Sequence, residues 1–277
     1  MKSIISTCQG ETFRAAAQSP WSGTILLVTH GGWYLETERG DILLLHDARF
    51  GEIPIGAALP DIGELPYDKS LEGRPLRFEN GTLMLAGELQ IELHGEKETR
   101  QKNPADVSPE RLRALEEALR SSGRGELRYA ACGMQPPGDS PLLQEMQRRT
   151  DSFLDAACGG YEEVSAAVKG LLGLGRGLTP ACDDWLVGYM YAARRTGKTE
   201  VCAAVSKAVL EYAGEYTNGI SAAYLRAAAR GEYYELLEGC LFGGDADSIT
   251  RLLSIGSSSG SDMLSGMLAA CRGFKKS

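Results

Sequence analysis

Hydrophobic and polar positions change period along the chain near residue 105. Over the first hundred residues the apolar positions alternate, as where Leu89, Ile91 and Leu93 interleave with Glu88, Gln90 and Glu92, the pattern of a half-buried strand. Thr24 to Thr29 is rich in β-branched residues, Gly31-Gly32 reads as a two-residue hairpin loop, Trp33 to Thr37 returns, and Asp41 to Leu45 follows a turn at Arg39-Gly40. Asn80-Gly81 joins Leu76–Phe78 to Thr82–Leu85 as a second hairpin. Between these, Phe50 to Pro66 carries Gly51, Pro54, Gly56, Pro60, Gly63 and Pro66, which marks loop or edge structure. These elements predict a small β-barrel or sandwich over residues 1–105.

Glu96 to Asp106 is charged and without periodicity, and is the expected domain boundary. Beyond it the spacing becomes helical, giving a helical domain over 106–277 and an α+β chain as a whole. Ser108-Pro109 and Ser140-Pro141 each open a helix, Leu112, Leu115 and Leu119 share a face, and Val201, Val205, Val209 and Tyr212 repeat at helical spacing. Leu127 to Cys132 is the one further strand candidate. Trp185 to Ala193 is apolar almost all round, as a central buried helix should be.

Composition narrows the function. The 277 residues are 43% hydrophobic, enough for a substantial core, and the net charge of -8 argues against nucleic acid as the main partner. The apolar runs Ile25 to Val28 and Ile42 to Leu45 are far too short to span a membrane, and the start at Met1-Lys2-Ser3 lacks a signal-peptide apolar region, so a cytoplasmic protein is expected. Seven scattered cysteines without C-x-x-C indicate neither a disulfide framework nor a zinc knuckle. The histidines, His30, His46 and His94, all precede the helical domain; His30 and His46 fall at strand ends, where a hydrogen-bonded structural role is expected.

The densest chemistry lies in Gly173 to Gly188. Gly173, Gly175 and Gly177 alternate, Thr179 is a preferred N-cap, Pro180 a preferred first helical residue, and Asp183 and Asp184 follow in the first turn. Glycines before a helix start let backbone N–H groups approach an anion, which the helix dipole also favours, and Arg176 adds a bidentate donor. Acidic residues in a first turn also stabilise any helix, and glycine runs make ordinary turns. Two adjacent carboxylates beside an anion-ready loop instead suggest a substrate with an anionic end and an amide-like end; Mg²⁺ bridging the two is the one metal the pattern admits, and no other cofactor is expected. Cys182 is a nucleophile only with a base partner.

Two decoys fall away. Gly173-x-Gly175 follows the helical spacing Val164, Ala167, Val168, Leu171, Leu172 rather than a strand, so it is no dinucleotide fingerprint. Thr196-Gly197-Lys198-Thr199 has Ala192 where a P-loop needs its first glycine; Gly197 reads as a helix end and Thr199 as the next N-cap. A second half-motif spans Gly256 to Gly266: a loop with Ser258, Ser259 and Gly260, then Asp262, Leu264 and Gly266 matching Asp184, Leu186 and Gly188. A third segment, Thr217-Asn218-Gly219-Ile220-Ser221, opens another helix. The two half-motifs, if linked, should bring the helix starts near Thr179 and Gly260 to one cavity lined by Asp184 and Asp262.

Together, Gly173 to Gly188, Thr217 to Ala228 and Gly256 to Gly266 resemble the signature segments of the family that includes the AllH subunit of oxamate carbamoyltransferase. The resemblance implies carbamoyl transfer between carbamoyl phosphate and oxamate, in a complex with other protein subunits, within anaerobic allantoin or purine breakdown. With this reading, Asp183, Asp184 and Asp262 are the candidate catalytic residues, and Gly175, Arg176, Gly177, Thr179, Thr217, Ser221, Ser258, Ser259 and Gly260 the candidate substrate-binding ones. The alternative is a non-catalytic anion-binding or assembly subunit.

Overall fold

A computed structural model of the chain describes residues 2–85, 89–93, 103–243 and 247–273. They fall into two compact units, Met1–Arg100 and Gln101–Ser277, the first a curled sheet and the second helical. The charged stretch read as a boundary lies largely outside the described residues, as do His94 and Glu88.

The first unit holds β1 (Lys2–Ile5), β2 (Cys8–Gln9), the short helix α1 (Glu11–Ala16), β3 (Trp21–Thr29), β4 (Gly32–Thr37), β5 (Ile42–Asp47), β6 (Gly56–Leu59), β7 (Pro75–Glu79), β8 (Thr82–Leu85) and β9 (Leu89–Glu92). The nine strands form one sheet in the order β1-β9-β8-β7-β3-β4-β5-β6-β2. β1 and β2 stand at opposite ends of that order, yet only Ser6 and Thr7 separate them in the chain. The sheet therefore curls until its ends approach: the Ser6 N–H donates to Glu92 O at 2.9 Å and the Thr7 N–H to Ala58 O at 2.8 Å. The expected barrel or sandwich is realised as a half-barrel bridged by the N-terminal segment. Phe13, Ile25, Leu35, Leu43, Leu45 and Leu59 fill its interior without exposure, and Trp21 stacks on its cross-strand partner Phe78 at 5.7 Å.

Two local readings need correction. Thr29 pairs with Gly32, so the first hairpin turns at His30-Gly31, one residue earlier than expected; the Thr29 hydroxyl donates to Gly32 O and accepts from the Gly31 N–H, which holds that register. The Gly/Pro-rich stretch contains β6, an interior strand parallel to β5 with all four residues buried. Ala57 and Leu59 point into the core of the curled sheet, and Ala58, between them, points to the other face. Asn80 and Gly81 have φ of 53° and 76°, the left-handed pair that a tight hairpin needs, as expected. His30 stacks on Tyr67 with centroids 3.9 Å apart, and His46 is buried with Nδ1 3.0 Å from Asp47 O.

The second unit comprises α2 (Pro109–Ser122), α3 (Arg128–Ala131), α4 (Pro141–Ala156), α5 (Tyr161–Leu171), α6 (Ala181–Arg195), α7 (Thr199–Tyr216), α8 (Gly219–Arg230), α9 (Glu235–Phe242), α10 (Ser248–Leu253) and α11 (Ser259–Arg272). Ser108 and Ser140 cap their helices as predicted, accepting from the Arg111 and Leu143 N–H groups. Gly197, at φ 76°, ends α6 as expected, but the cap of α7 is Lys198, with Thr199 its first helical residue. Leu127 to Cys132 contains α3 instead of a strand: all nine described strands lie in the first unit, so a strand here has no ladder to join. Among the described residues no helix is long and apolar enough to cross a membrane.

α6 is the axis of this unit, buried from Ala181 through Ala193. Phe153 meets Trp185 and Tyr189 edge-on at 5.4 and 4.9 Å, and each such side chain contributes on the order of 2 kcal/mol by burial. α11 packs directly along α6. A Cβ at Gly188 would lie 1.9 Å from Met263 O, and one at Gly266 would lie 2.0 Å from Trp185 O. Each glycine thus rests on the carbonyl three residues before the other, an approximate two-fold relation that maps Asp184 onto Asp262. A cavity of about 690 Å³ lies elsewhere, lined by Ala157, Cys158, Tyr161, Val164, Lys198 and Thr199 among others, and touches none of the candidate site residues.

Candidate functional site

The site forms where α6 and α11 begin. Gly173, Gly175 and Gly177 have φ of 74°, 130° and 100°, so the loop before α6 follows a path closed to other residues. A Cβ at Gly175 would lie 2.3 Å from the N atom of Ala181, the first residue of α6. Arg176, Gly177 and Leu178 are exposed, and among the described residues the Arg176 guanidinium has no side-chain bond or ion pair.

Thr179 was expected to cap α6 with Pro180 as its first helical residue. The cap is Pro180 itself, and the Thr179 hydroxyl donates to Asp184 Oδ2 at 2.8 Å. A carboxylate only 4% exposed loses more by lacking a donor than a helix start does, which accounts for the exchange. Thr179 Oγ1 also lies 3.0 Å from Ser259 Oγ on the first residue of α11. With this contact at the starts and the glycine contacts farther on, α6 and α11 run in the same direction with their N-termini side by side.

Asp183 takes a different position. Its Oδ1 accepts the Gly173 N–H at 2.8 Å, and its Oδ2 accepts the hydroxyls of Thr217 and Ser221 at 2.5 and 2.7 Å. It ties the glycine loop to the end of α7 and the start of α8, where Asn218 caps by accepting from the Ser221 N–H. Burial raises its pKa and these three donors oppose the rise. The hydroxyls of Thr217 and Ser221, expected at a substrate, are used to hold Asp183.

Asp184 has its pKa raised well above the carboxylate range, first by burial and then by the nearby charge of Asp262, against the donors Thr179 and Ser259. Asp262 is fully enclosed, and among the described residues neither oxygen makes a hydrogen bond of ordinary geometry. Burial pushes its pKa up to about 7, opposed by Ser258 and the Leu127 N–H, which favour the charged form. The helix starts converge, but Asp184 and Asp262 sit in the seam between helices rather than on an open wall, because glycine contacts draw α6 and α11 together. Gly260 serves a different packing, that of α11 on α10: a Cβ there would meet Leu252 O at 1.7 Å. Cys182 is buried and its thiol pKa is raised far beyond the normal range by burial, so it is no thiolate nucleophile. Among the described residues no group of three or more His, Cys, Asp or Glu could hold a metal ion.

The span carrying this geometry has known relatives. Residues 171–271 match the family model of the oxamate carbamoyltransferase subunit AllH. The resemblance read from the three segments is thereby borne out over that span, which runs from the last residue of α5 to the last turn of α11. The matched segment thus contains both helix starts and all twelve candidate residues. No solved structure matches the chain.

One wall of the site lies outside the AllH match and escaped the sequence reading. The loop 123–127, between α2 and α3, packs on the start of α11: the Arg124 N–H donates to Ser261 Oγ at 2.8 Å, and a Cβ at Gly125 would lie 2.2 Å from Asp262 Oδ1. Glu126, in the same loop, adds a smaller upward push to the pKa of Asp262. The available signal was the tripeptide Gly123-Arg124-Gly125, which repeats Gly175-Arg176-Gly177.

Proposed function

We propose that the chain is a subunit of a cytoplasmic carbamoyltransferase acting on carbamoyl phosphate and oxamate, in the oxalurate and oxamate interconversion of anaerobic allantoin or purine degradation. The observation that carries this reading is the coincidence of the AllH match with the paired helix starts. Phosphate sits on the loop Gly175–Gly177 with Arg176, whose exposed guanidinium has no side-chain bond or ion pair among the described residues. Thr179 and Ser259, part-exposed at the helix starts, face the carbamoyl group, where a hydroxyl donates to its carbonyl oxygen and accepts from its NH₂, and the enclosed carboxyls of Asp184 and Asp262 lie behind them. Asp184 holds the Thr179 hydroxyl in place, Ser258 lies at the same helix start as Ser259, and Asp183 positions the loop. The reading invokes no resident cofactor. Other subunits complete the enzyme.

The test is ligand protection. Carbamoyl phosphate or inorganic phosphate at millimolar concentration should raise the unfolding temperature of the full chain, and no shift with either would overturn the reading. The enclosure of Asp184 and Asp262 favours a second reading, an assembly subunit whose loops serve packing and anion binding alone. Asp184→Asn separates them: the first predicts an intact complex without turnover, the second a weakened complex.

A further inference from the structure

The chain contains Gly-Arg-Gly twice, at 123–125 and 175–177, and the fold brings each copy to one of the two paired helix starts. Gly175 abuts the first residue of α6, and Gly125 abuts Asp262, the fourth residue of α11. Asp184 is the fourth residue of α6, so each loop serves the helix that carries one member of the carboxylate pair. The middle arginine is exposed in both copies, and among the described residues neither guanidinium has a side-chain bond or ion pair. Beneath the second loop lies Asp262, wholly buried, and among the described residues neither of its oxygens makes a hydrogen bond of ordinary geometry, with Ser258 and the Leu127 N–H the polar groups nearest it in effect.

We propose that Arg124 is the second anion-holding arginine of this site and takes the carboxylate of the carbamoyl acceptor, while Arg176 takes the phosphate. This rests on the carbamoyltransferase reading, whose two substrates bring two anions that must be held at once around one carbamoyl carbon. One glycine loop with one arginine neutralises one of them. A second loop of the same composition, anchored to α11 through Ser261 and seated on Asp262, provides the other at the neighbouring helix start. A planar guanidinium suits either anion, since carboxylate and phosphate both accept its paired N–H groups.

Calorimetric titration of the full chain, alone and with the subunits that purify with it, with inorganic phosphate and separately with oxamate tests this assignment. Arg124→Gln should weaken oxamate by about tenfold or more and leave phosphate within about twofold, while Arg176→Gln does the reverse. Arg124→Lys should recover part of the oxamate affinity. Gly125→Ala, which pushes the loop off Asp262, should cost oxamate affinity with Arg124 still present. Oxamate binding unchanged in Arg124→Gln, or equal loss of both anions, would overturn the role of Arg124 while phosphate binding to the wild type keeps the underlying reading. A wild type that binds neither anion would instead overturn that reading itself.

Discussion

Thr179 and Ser259 stand with their hydroxyl oxygens 3.0 Å apart across eighty residues of sequence, and this contact aligns the two halves of the site. It fixes α6 and α11 start to start, so that Asp184 and Asp262 share one electrostatic environment and the glycine contacts follow farther along.

Gly188→Ala should destabilise the helical unit by about 3 kcal/mol, because the new methyl meets the backbone carbonyl of Met263 and not a flexible side chain. Gly266→Ala should behave alike against Trp185. Gly219→Ala, with open space around it, is the control and should be near neutral. Urea unfolding followed through Trp185 measures all three; a Gly188→Ala chain as stable as the control would contradict the packing.

Asp183 and Asp184 should separate cleanly. Asp183→Ala strands three donors, the Gly173 N–H and the hydroxyls of Thr217 and Ser221, and should cost about 3 kcal/mol of stability. Asp184→Asn keeps the shape and removes a buried acid, so stability should change by less than about 1 kcal/mol while carbamoyl transfer falls at least about a hundredfold. Equal destabilisation by both would mean that Asp184 is a strut as well.

Asp262 should make the helical unit less stable as pH rises. Its carboxyl holds a proton in the folded state up to about pH 7 and loses it near pH 4 when unfolded, so the folded form binds more protons between those values. Stability is then highest below about pH 4 for this group and falls by up to about 4 kcal/mol on passing pH 7. Asp262→Asn should flatten the slope and gain stability at pH 8, as read from chemical denaturation across pH.

His46 should act in the opposite sense on the β unit. Burial lowers its pKa from 6.5 to about 4, so the unfolded form takes up the proton first and stability is lost as pH falls from about 6.5 to 4. Fluorescence of Trp21 and Trp33 in a variant lacking Trp185 follows this unit alone. Replacing His46 with Asn should remove the acid sensitivity in that window; an unchanged slope would place the cause elsewhere.

Cys158 is exposed and Cys182 is buried with its thiol pKa raised. Limited alkylation at pH 8 should label Cys158 and spare Cys182, and Cys182→Ala should retain turnover. Mass spectrometry of the labelled chain decides the first point.

Much of this protein was readable from local pattern. Serines before prolines open α2 and α4, Asn80-Gly81 turns a hairpin, and the apolar run after Asp184 becomes the buried axis, because caps, turns and periodicity are properties of a few neighbouring residues. The alternating glycines marked the loop before α6, and the offsets shared by Asp184, Leu186 and Gly188 with Asp262, Leu264 and Gly266 marked its counterpart. Tertiary structure decided what these residues touch. It turned the Thr179 hydroxyl from helix cap to Asp184 donor, made Thr217 and Ser221 supports of Asp183, set β6 inside the sheet, and enclosed Asp262. It also brought Gly123-Arg124-Gly125 to the start of α11. Each of these outcomes depends on burial and on partners far away in sequence, since a hydroxyl donates to whichever acceptor water has been excluded from, and only the folded chain determines which acceptor that is.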